Sequence, residues 1–297
     1  MSASPEDRAD VPEVAAILVN YNAGQELRRA LQSIADEVAG RRWEAVVVDN
    51  ASSDGSGAIA EEFAPDVRLL RNVHNAGFAR GVNQGIAATT APTVLVMNPD
   101  CRLVAGALAA LQDELRMHPE CAIAGPRILD PDGSLQGSAR GDPDMFTGLF
   151  GRSTLLRRVM PELPVSRRNV VSSEAIRNGK VSVSVDWLSG ACMLVRRAAF
   201  EKANGFDERY FLYWEDADLC RRLRGLGYHV RYVPGATAIH RVGHSSKRVR
   251  QSATRAFHES AYLYYSTHVA RGALHPKRLL ARALLSARCW VHLRLNQ

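Results

Sequence analysis

Residues 94–100 read Val-Leu-Val-Met-Asn-Pro-Asp, and the interpretation of the whole chain starts from this stretch. A short apolar run bounded by turn residues predicts a buried strand. We therefore expect Asp100 to project from the edge of a sheet, where open α/β folds bind ligands and where a carboxylate suits a hard divalent cation. Taken alone, Asn98-Pro99-Asp100 is better explained as an ordinary turn, because all three residues favour turns.

Three more apolar runs, at 14–19, 43–48 and 67–70, predict strands that are each followed by a polar loop and a helix. Strands alternating with helices predict an α/β fold with a mostly parallel sheet flanked by helices, whose polar loops gather at the carboxyl edge. Several acids that converge on such an edge form a charged cleft that core packing does not explain. The candidate site carboxylates are Asp49, Asp100, Asp216 and Asp218.

The second half of the chain is less regular. Residues 130–134 predict a hairpin turn, and residues 138–180, rich in Arg, Pro, Gly and Ser, predict a long irregular insertion. Two strands at 183–188 and 191–195 are interrupted at Ser189-Gly190, and a loop at 206–218 mixes aromatic residues with five carboxylates. Three aromatic side chains in this region fit a core and a sugar-binding platform equally well: Trp187, Tyr213 and Trp214.

Length and composition predict a folded protein, because 297 residues with 46% hydrophobic content can bury a sizeable core. The five scattered cysteines show no paired metal spacing, which favours a reducing compartment. The acidic, polar start does not resemble a signal peptide, and no apolar run reaches membrane-spanning length. We therefore expect a cytoplasmic protein with a disordered N-terminus over residues 1–12.

The net charge of +7 comes from the C-terminal part, where residues 221–297 contain fifteen Lys and Arg but one acid, Glu259. Such an excess suits nucleic acid, an anionic membrane surface or phosphate-bearing ligands. In a predicted helix after Pro276, apolar residues (Leu279, Leu280, Ala283, Ala287, Trp290, Val291) share one side and basic residues (Lys277, Arg278, Arg282, Arg288) the other. A membrane-surface helix and an ordinary solvated subdomain explain this pattern equally well.

Several common catalytic motifs are missing from the sequence. It contains no Gly-x-Gly-x-x-Gly fingerprint, no Gly-x-x-x-x-Gly-Lys-Ser/Thr phosphate loop and no serine nucleophile elbow. Cys101 follows Asp100, but no histidine lies near it in sequence, so a small packing residue is the better interpretation. His240, after a predicted strand, is a site candidate whose alternative is a surface histidine.

Eight short motifs, in order, carry a family resemblance. They are Val19-Asn20-Tyr21-Asn22, residues 47–56, Asn75-Ala76-Gly77-Phe78, Asn83-Gln84-Gly85, Asn98-Pro99-Asp100, Trp187-Leu188-Ser189-Gly190, residues 205–208 and residues 214–218. This series, between residues 14 and 244, resembles the family 2 glycosyltransferases of the GT-A fold, and most nearly the rhamnosyltransferase branch that acts on lipid-linked cell-wall or polysaccharide precursors. The resemblance implies inverting transfer from a nucleotide-diphosphate sugar with Mg²⁺ or Mn²⁺.

The resemblance also implies a role for each matching residue. Asp100 would be the metal ligand, with His240 completing the metal site, and Asp216 would be the catalytic base. The donor-binding residues would be Asn20, Tyr21, Asn22, Asp49, Asn75, Gly77, Arg80, Asn83, Asn98 and Asp100, and the acceptor or sugar side would contain Trp187, Ser189, Gly190, Trp214 and Glu215. The departure is Asn98, a neutral side chain at the first position of the family's Asp-x-Asp motif.

Elementary chemistry agrees with these implied roles. Inversion needs one carboxylate to take the acceptor's proton, and the diphosphate leaving group needs a Lewis acid. The like charges of Glu215 and Asp218 are expected to raise the pKa of Asp216. Asp218 itself is expected to be structural or to support the base.

We therefore expect a nucleotide-sugar-binding half (13–126), an acceptor half (127–245) and a basic helical C-terminal extension (246–297). The expected partners are dTDP-rhamnose, a lipid-linked glycan acceptor and the inner face of the plasma membrane, without nucleic acid, and the chain could form a homodimer. The alternatives are a UDP- or GDP-sugar donor, a non-catalytic sugar-nucleotide-binding protein, a nucleic-acid-binding protein or a nucleotidyltransferase. A nucleotidyltransferase is disfavoured by the lack of a Lys-bearing triphosphate loop.

Overall fold

The computed structural model describes residues 12–143, 181–241, 250–272 and 275–295. The strands are β1 (Val14–Asn20), β2 (Trp43–Asp49), β3 (Val67–Arg71), β4 (Thr93–Met97), β5 (Cys101–Leu103), β6 (Cys121–Leu129), β7 (Ala139–Arg140), β8 (Val183–Ser184), β9 (Trp187–Leu188), β10 (Cys192–Arg196) and β11 (His229–His240). The α-helices are α1 (Glu26–Glu37), α2 (Phe78–Ala87), α3 (Ala107–Met117), α4 (Arg197–Lys202), α5 (Glu215–Gly225), α6 (Arg250–His268) and α7 (Pro276–Leu295), and a 3-10 helix spans Ser56–Phe63. The predicted disordered N-terminus up to residue 11 and most of the predicted insertion, residues 144–180, lie outside the described residues.

The main sheet has the order β3-β2-β1-β4-β10-β6-β11-β5, and β8 pairs with β11. Strands β1 to β4 are parallel to one another, whereas β10 runs antiparallel between β4 and β6. Strand β11 is parallel to β6 and antiparallel to β5. This arrangement confirms the predicted α/β fold with a mostly parallel sheet. A separate two-stranded sheet joins β7 to β9.

The core lies on both faces of the main sheet, because successive side chains of a strand point to opposite faces. Leu18 packs with residues of α1 and α3, whereas Ile17 and Val19 pack with residues of α2 and α5. Every residue of β1 is buried, which is expected for a strand covered by helices on both sides. Burying each Val, Leu and Ile side chain of β1 contributes about 1.5–3 kcal/mol. The apolar run predicted at residues 14–19 therefore lies at the centre of the core.

Strand direction brings the site residues to one edge. Strands β1, β2 and β4 end there, and β11 runs in the same direction as β4, so its last residue, His240, reaches the same edge, where it pairs with Cys101. Strand β10 runs the other way and begins at this edge, directly after Ser189 and Gly190. One edge of the sheet therefore collects the ends of β1, β2 and β4, His240 and the turn at Ser189-Gly190.

The two C-terminal helices pack together and against the acidic loop before α5. Tyr265 of α6 and Ala270, which follows that helix, pack with Ala281 of α7. Ser260 Oγ of α6 donates a hydrogen bond to the carbonyl of Leu212 at 3.0 Å. The predicted helix after Pro276 is confirmed as α7, and the helix that the sequence predicts around residues 257–269 is α6, which begins earlier, at Arg250. Within the described residues, no helix is long and apolar enough to span a membrane.

Candidate functional site

The ends of β1 and β2 are joined by one buried side-chain amide. Asn20 Nδ2 donates to Asp49 Oδ1 at 2.7 Å, to Ser52 Oγ at 3.0 Å and to Ser56 Oγ at 2.9 Å. Asp49 is only 5% exposed and its Oδ2 accepts the backbone N–H of Ser52. A Cβ on Gly57 would lie 2.8 Å from Asp49 Cγ, so the loop is closely packed around this acid. The structure brings Asn20 and Asp49 together, and both shape the loop after β2.

A second set of contacts anchors the same loop to the turn after β1. Ser53 N–H donates to Asn22 Oδ1 at 2.8 Å, and Asn22 N–H donates to Ser52 Oγ at 3.0 Å. Asn22 adopts a left-handed conformation with φ 55°, which Asn tolerates better than most residues. Tyr21 lies between these anchored residues and is half-buried. The two loops therefore form one rigid wall at the edge of the sheet.

The glycine-rich start of α2 is bound to the acidic loop. Phe78 N–H donates to the carbonyl of Phe211 at 2.8 Å, and a Cβ on Gly77 would lie 2.5 Å from that oxygen. Asn75 Oδ1 accepts the N–H of Gly77 at 2.9 Å. Gly77 has φ +88°, so the close approach and the backbone conformation both require glycine.

Two other predicted donor-binding residues also contact the acidic loop. Asn83 accepts the N–H of Phe206 at 3.0 Å and donates to its carbonyl at 2.9 Å. The exposed Arg80 guanidinium lies 3.8 Å from a carboxylate oxygen of Glu208. Asn83 therefore fixes the loop, whereas Arg80 is on the surface, and their donor-binding roles stay predictions.

Asp100 and His240 meet where β4 and β11 end. His240 Nε2 lies 3.3 Å from Asp100 Oδ1 and 3.4 Å from Asn98 Nδ2. The Asp100 carboxylate is 8% exposed, and the 13% exposure of the His240 side chain leaves a narrow opening to it. The structure therefore juxtaposes the two side chains that the resemblance assigns to a metal.

The tautomer of His240 follows from its other neighbour, Gln136. The amide nitrogen of Gln136 donates to Asp130 Oδ1 and to the His240 carbonyl, both at 2.7 Å, so its Oε1 is the acceptor. His240 Nδ1 lies 2.9 Å from that Oε1 and donates its proton to it. In the neutral imidazole, Nε2 is then the lone-pair nitrogen that faces Asp100.

This donor set fits a divalent cation. Metal-binding histidines usually donate their other ring N–H to a carbonyl or carboxylate, as His240 does to Gln136. A lone pair facing a carboxylate oxygen at 3.3 Å is repulsive unless a proton or a metal cation lies between them, and a divalent cation there would be bound by both groups. Among the described residues no group of three or more His, Cys, Asp or Glu side chains forms a metal cage, so ligand oxygens would complete the coordination.

Cys101, next to Asp100, is not part of this chemistry. The thiol is fully buried, and a hydrogen bond with Cys192 together with burial raises its pKa. A protonated, inaccessible thiol is a poor nucleophile. The predicted packing role of Cys101 is therefore confirmed.

Asp216 is held by two backbone N–H groups at the start of α5. Gly190 N–H donates to its Oδ2 at 2.9 Å, and Ala217 N–H donates to its Oδ1 at 2.8 Å. The turn before it places Tyr213 and Trp214 consecutively in the left-handed region, with φ 69° and 72°. Such conformations cost about 1–3 kcal/mol each and concentrate at functional sites. Asp216 is half-buried, so a ligand can reach the oriented carboxylate.

Glu215 and Asp218, the two acids near Asp216, have different surroundings. Burial, followed by the charges of Asp216 and Asp218, raises the pKa of Glu215 well above its ordinary value. Glu215 Oε2 has no hydrogen-bond partner in the part of the chain that the structure describes. Asp218 is 1% exposed, accepts a hydrogen bond from Arg222 Nε at 2.7 Å and lies 2.6 Å from His268 Nε2. Asp218 is structural, as expected, and its charge is compensated by Arg222.

The aromatic residues make core contacts. Trp187 Nε1 donates to the carbonyl of Gly141 at 2.9 Å, and its ring lies 5.2 Å from the Arg140 guanidinium carbon. The Trp214 ring packs 5.8 Å from Phe257 and 5.4 Å from Tyr264, both on α6. Of the two alternatives left open by the sequence, these contacts favour packing.

On the acceptor side, Ser189 belongs to the backbone framework that leads to Gly190. Its N–H donates to the carbonyl of Ser138 at 2.8 Å, and its Oγ accepts the N–H of Ala191 at 3.4 Å. These bonds fix the turn that orients Asp216.

The sequence interpretation missed two residues that shape the site, Gln136 and His268. Gln136 follows the predicted hairpin turn, whose Asp130 and Ser134 are hydrogen-bonded as expected, and nothing in its local pattern marks it. His268 lies 50 positions after Asp218, on a helix that seemed separate from the site. Both residues contact the site across 50 or more positions of sequence, and sequence spacing does not encode such contacts.

Family models and curated relatives match most of the chain. The family model "Glycosyl transferase family 2" matches residues 15–203, and "Glycosyl transferase family group 2" matches residues 157–258. The chain is 35% identical over 286 residues, 92% of this chain and 90% of the relative, to the N-acetylglucosaminyl-diphospho-decaprenol L-rhamnosyltransferase of Mycobacterium tuberculosis. It is 44% identical over 80 residues, 27% of this chain and 30% of the relative, to the rhamnosyltransferase WbbL of Escherichia coli K12.

Solved structures share the fold at low sequence identity. The mannosyltransferase PcManGT from Pyrobaculum calidifontis, in complex with GDP-Man and Mn²⁺, aligns with TM-score 0.59 and 18% identity over 95% of this chain and 70% of that chain. TarS from S. aureus, solved with UDP, aligns with TM-score 0.52 and 16% identity over 93% and 71%. These likenesses show a shared fold.

Proposed function

Because the chain belongs to glycosyl transferase family 2 and resembles its rhamnosyltransferases, we propose that it transfers L-rhamnose from dTDP-rhamnose to a lipid-diphosphate-linked sugar. The observation that carries the proposal is the position of Asp216. Two backbone N–H groups orient this carboxylate at the sheet edge that also presents Asp100 and His240. A base on one side and a diphosphate-binding corner on the other is the arrangement that inversion requires.

In the proposed reaction, the acceptor hydroxyl gives its proton to Asp216 as its oxygen attacks the anomeric carbon of the donor. Attack comes from the face opposite the diphosphate, so the new glycosidic bond forms as the bond from the anomeric carbon to the diphosphate oxygen breaks. The products are the inverted glycoside and dTDP. Mg²⁺ or Mn²⁺ bound by Asp100 and His240 would offset the negative charge that develops on the diphosphate.

The names of the relatives support the choice of sugar and acceptor. The Mycobacterium tuberculosis relative is an L-rhamnosyltransferase of an N-acetylglucosaminyl-diphospho lipid, and it matches 92% of this chain. The solved structure of PcManGT is a complex with Mn²⁺, which supports a divalent cation. A donor with another nucleotide, UDP or GDP, would use the same corner, because its diphosphate is chemically the same.

A lipid-linked acceptor stays in the membrane, so the enzyme would work as a peripheral protein at the inner membrane face. The basic C-terminal helices support this location through attraction to anionic lipids. Nucleic acid is a weaker candidate than anionic lipid as the partner of this positive charge. In the absence of a cation, the carboxylates at the site would repel its phosphates.

A panel of nucleotide sugars tests the proposal. The full chain is incubated with dTDP-rhamnose, UDP- and GDP-sugars, with Mg²⁺, Mn²⁺ or EDTA, and both the thermal shift and the transfer to a short-chain N-acetylglucosaminyl-diphospho lipid are measured. We expect dTDP-rhamnose with a divalent cation to give the largest shift and the only efficient transfer. Preference for another donor would overturn the rhamnose assignment. Transfer in EDTA equal to that with Mg²⁺ would overturn the proposed dependence on a divalent cation.

A further inference from the structure

Helix α7 packs on α6 with one face only. Ala281 is 2% exposed and Leu285 is 5% exposed, and both face the core between the two helices. At the border of this contact, Arg278 Nε donates to the Tyr262 hydroxyl at 3.0 Å. A surface helix normally uses its apolar stripe for such a contact and leaves a polar face to solvent.

The opposite face of α7 is also apolar, and solvent covers it. Trp290 is 60% exposed, Leu279 56% and Leu280 52%. At 100° per residue these side chains belong to one stripe about 140° wide. We name this stripe the outer face of α7, and its members are Leu279, Leu280, Ala283, Leu284, Ala287, Trp290 and Val291, all exposed. A contiguous apolar patch of this kind marks an interaction surface.

Positive charge borders the outer face. At the same helical spacing, Lys277 and Arg288 lie along one border, and Arg282 lies along the other. The Arg294 guanidinium carbon lies 5.4 Å from the centre of the Trp290 ring, a pairing that suits the interface between water and lipid. Helix α7 itself contains no Asp or Glu, and the sequence has none after Glu259.

We propose that the outer face of α7 docks on an anionic lipid bilayer, with its apolar side chains at the boundary between headgroups and acyl chains. An exposed apolar stripe between two basic borders is the pattern of an interfacial helix. A second copy of this chain would fit less well, because pairing two outer faces would bring like charges together. The proposal deepens the proposed function, since a lipid-linked acceptor requires the enzyme to reach a bilayer.

Helix α6 connects this surface to the site. Its Tyr264 packs on Trp214, and its His268 contacts Asp218 in the first turn of α5. Docking through α7 would therefore hold the helix that carries Asp216 at a fixed position relative to the bilayer.

Vesicle sedimentation of the full chain tests the docking surface. The vesicles contain phosphatidylcholine alone or with about one third phosphatidylglycerol. The variant Leu279→Gln/Leu284→Gln/Trp290→Gln removes three exposed apolar side chains, and the control Val73→Gln/Val104→Gln/Met117→Gln removes three elsewhere on the surface. We expect the wild type and the control to bind the anionic vesicles, salt to weaken binding, and the outer-face variant to bind at least about tenfold more weakly.

Three results would overturn the proposal. They are equal binding by the outer-face variant, equal binding to neutral and anionic vesicles, and a wild-type dimer in light scattering that the outer-face variant loses. Transfer to a short-chain acceptor in the absence of vesicles separates this proposal from the proposed function. We expect the outer-face variant to keep that transfer. If the wild type shows no transfer to the short-chain acceptor, the proposed function is contradicted and the docking result is unaffected.

Discussion

His268 Nε2 lies 2.6 Å from Asp218 Oδ1, and this contact joins α6 to the first turn of α5, two residues after Asp216. Both side chains are buried, at 9% and 1% exposure, and Arg222 donates to the other oxygen of the carboxylate. The helix that carries the proposed base is therefore fixed by a helix from the C-terminal part of the chain. The sequence predicts a boundary at residue 245 between the acceptor half and the C-terminal extension. The contact of His268 with Asp218 and the packing of Tyr264 on Trp214 connect these two parts.

The first prediction concerns this contact. We expect His268→Ala to lower the free energy of unfolding by about 2 kcal/mol, because Asp218 keeps Arg222 but loses one partner in a buried place. Urea unfolding measures the change. His74→Ala, which removes an exposed imidazole, is the control and should leave the stability unchanged within about 0.5 kcal/mol. Identical unfolding midpoints for both variants would show that the contact does not stabilise the fold.

The second prediction concerns the proposed base. Asp216→Asn should lower kcat by about a hundredfold to ten-thousandfold, because the amide can no longer accept the acceptor's proton. The donor Kd, from calorimetry, should stay near the wild-type value, since the asparagine oxygen can still accept the N–H of Gly190. Asp132→Asn, in the exposed hairpin turn, makes the same charge change away from the site. Near-normal turnover in Asp216→Asn would rule out this residue as the base.

The third prediction concerns the support of His240. Gln136→Leu removes the acceptor that fixes the imidazole, so we expect the affinity for Mn²⁺ in the presence of donor to fall about tenfold to a hundredfold. Calorimetric titration gives this affinity. Gln32→Leu, on the exposed face of α1, serves as the control. If both variants bind Mn²⁺ as tightly as the wild type, Gln136 does not orient a metal ligand.

The fourth prediction concerns the junction between α2 and the acidic loop. Gly77→Ala combines a left-handed φ with a Cβ placed 2.5 Å from the carbonyl oxygen of Phe211. Gly133→Ala has a similar φ of +84° but open space around it, so it isolates the backbone strain. We expect Gly133→Ala to cost about 1–2 kcal/mol and Gly77→Ala clearly more, as measured by thermal unfolding. Equal costs would mean that the loop moves aside without penalty.

The fifth prediction is a pH dependence. The folded protein raises the pKa of Glu215, mainly through burial, so folding binds a proton that the unfolded chain gives up more readily. The resulting stability is fully present below the unfolded pKa of about 4.3 and is lost as the pH rises through the folded value. Glu215→Gln should therefore gain stability relative to the wild type as the pH rises above the unfolded pKa of about 4.3.

Thermal unfolding of Glu215→Gln over that pH range checks the prediction, with Glu61→Gln, an exposed carboxylate, as the control. A constant difference between Glu215→Gln and the wild type would contradict it, because a constant difference cannot come from a titrating group. The control should follow the wild type at every pH.

The sequence predicts the parallel half of the fold well, because β1, β2 and β4 are long apolar runs separated by helices. The direction of a strand and contacts between distant residues are not encoded in local sequence. The apolar run of β10 looks the same in either direction, so its antiparallel insertion between β4 and β6 could not be predicted. The pairing of Asp100 with His240 was expected only through the family resemblance, and the contact of His240 with Gln136 depends on a hairpin whose reach no local pattern encodes.

The antiparallel strand β10 has a consequence for redesign of the enzyme. Gly190 N–H binds Asp216, and the next residue, Ala191, accepts the N–H of Asn98 through its carbonyl at 2.9 Å. Two adjacent residues therefore set the spacing between the proposed base, Asp216, and the corner formed by Asn98, Asp100 and His240. A one-residue insertion between Leu188 and Cys192 would change that spacing, and we expect it to uncouple donor binding from transfer.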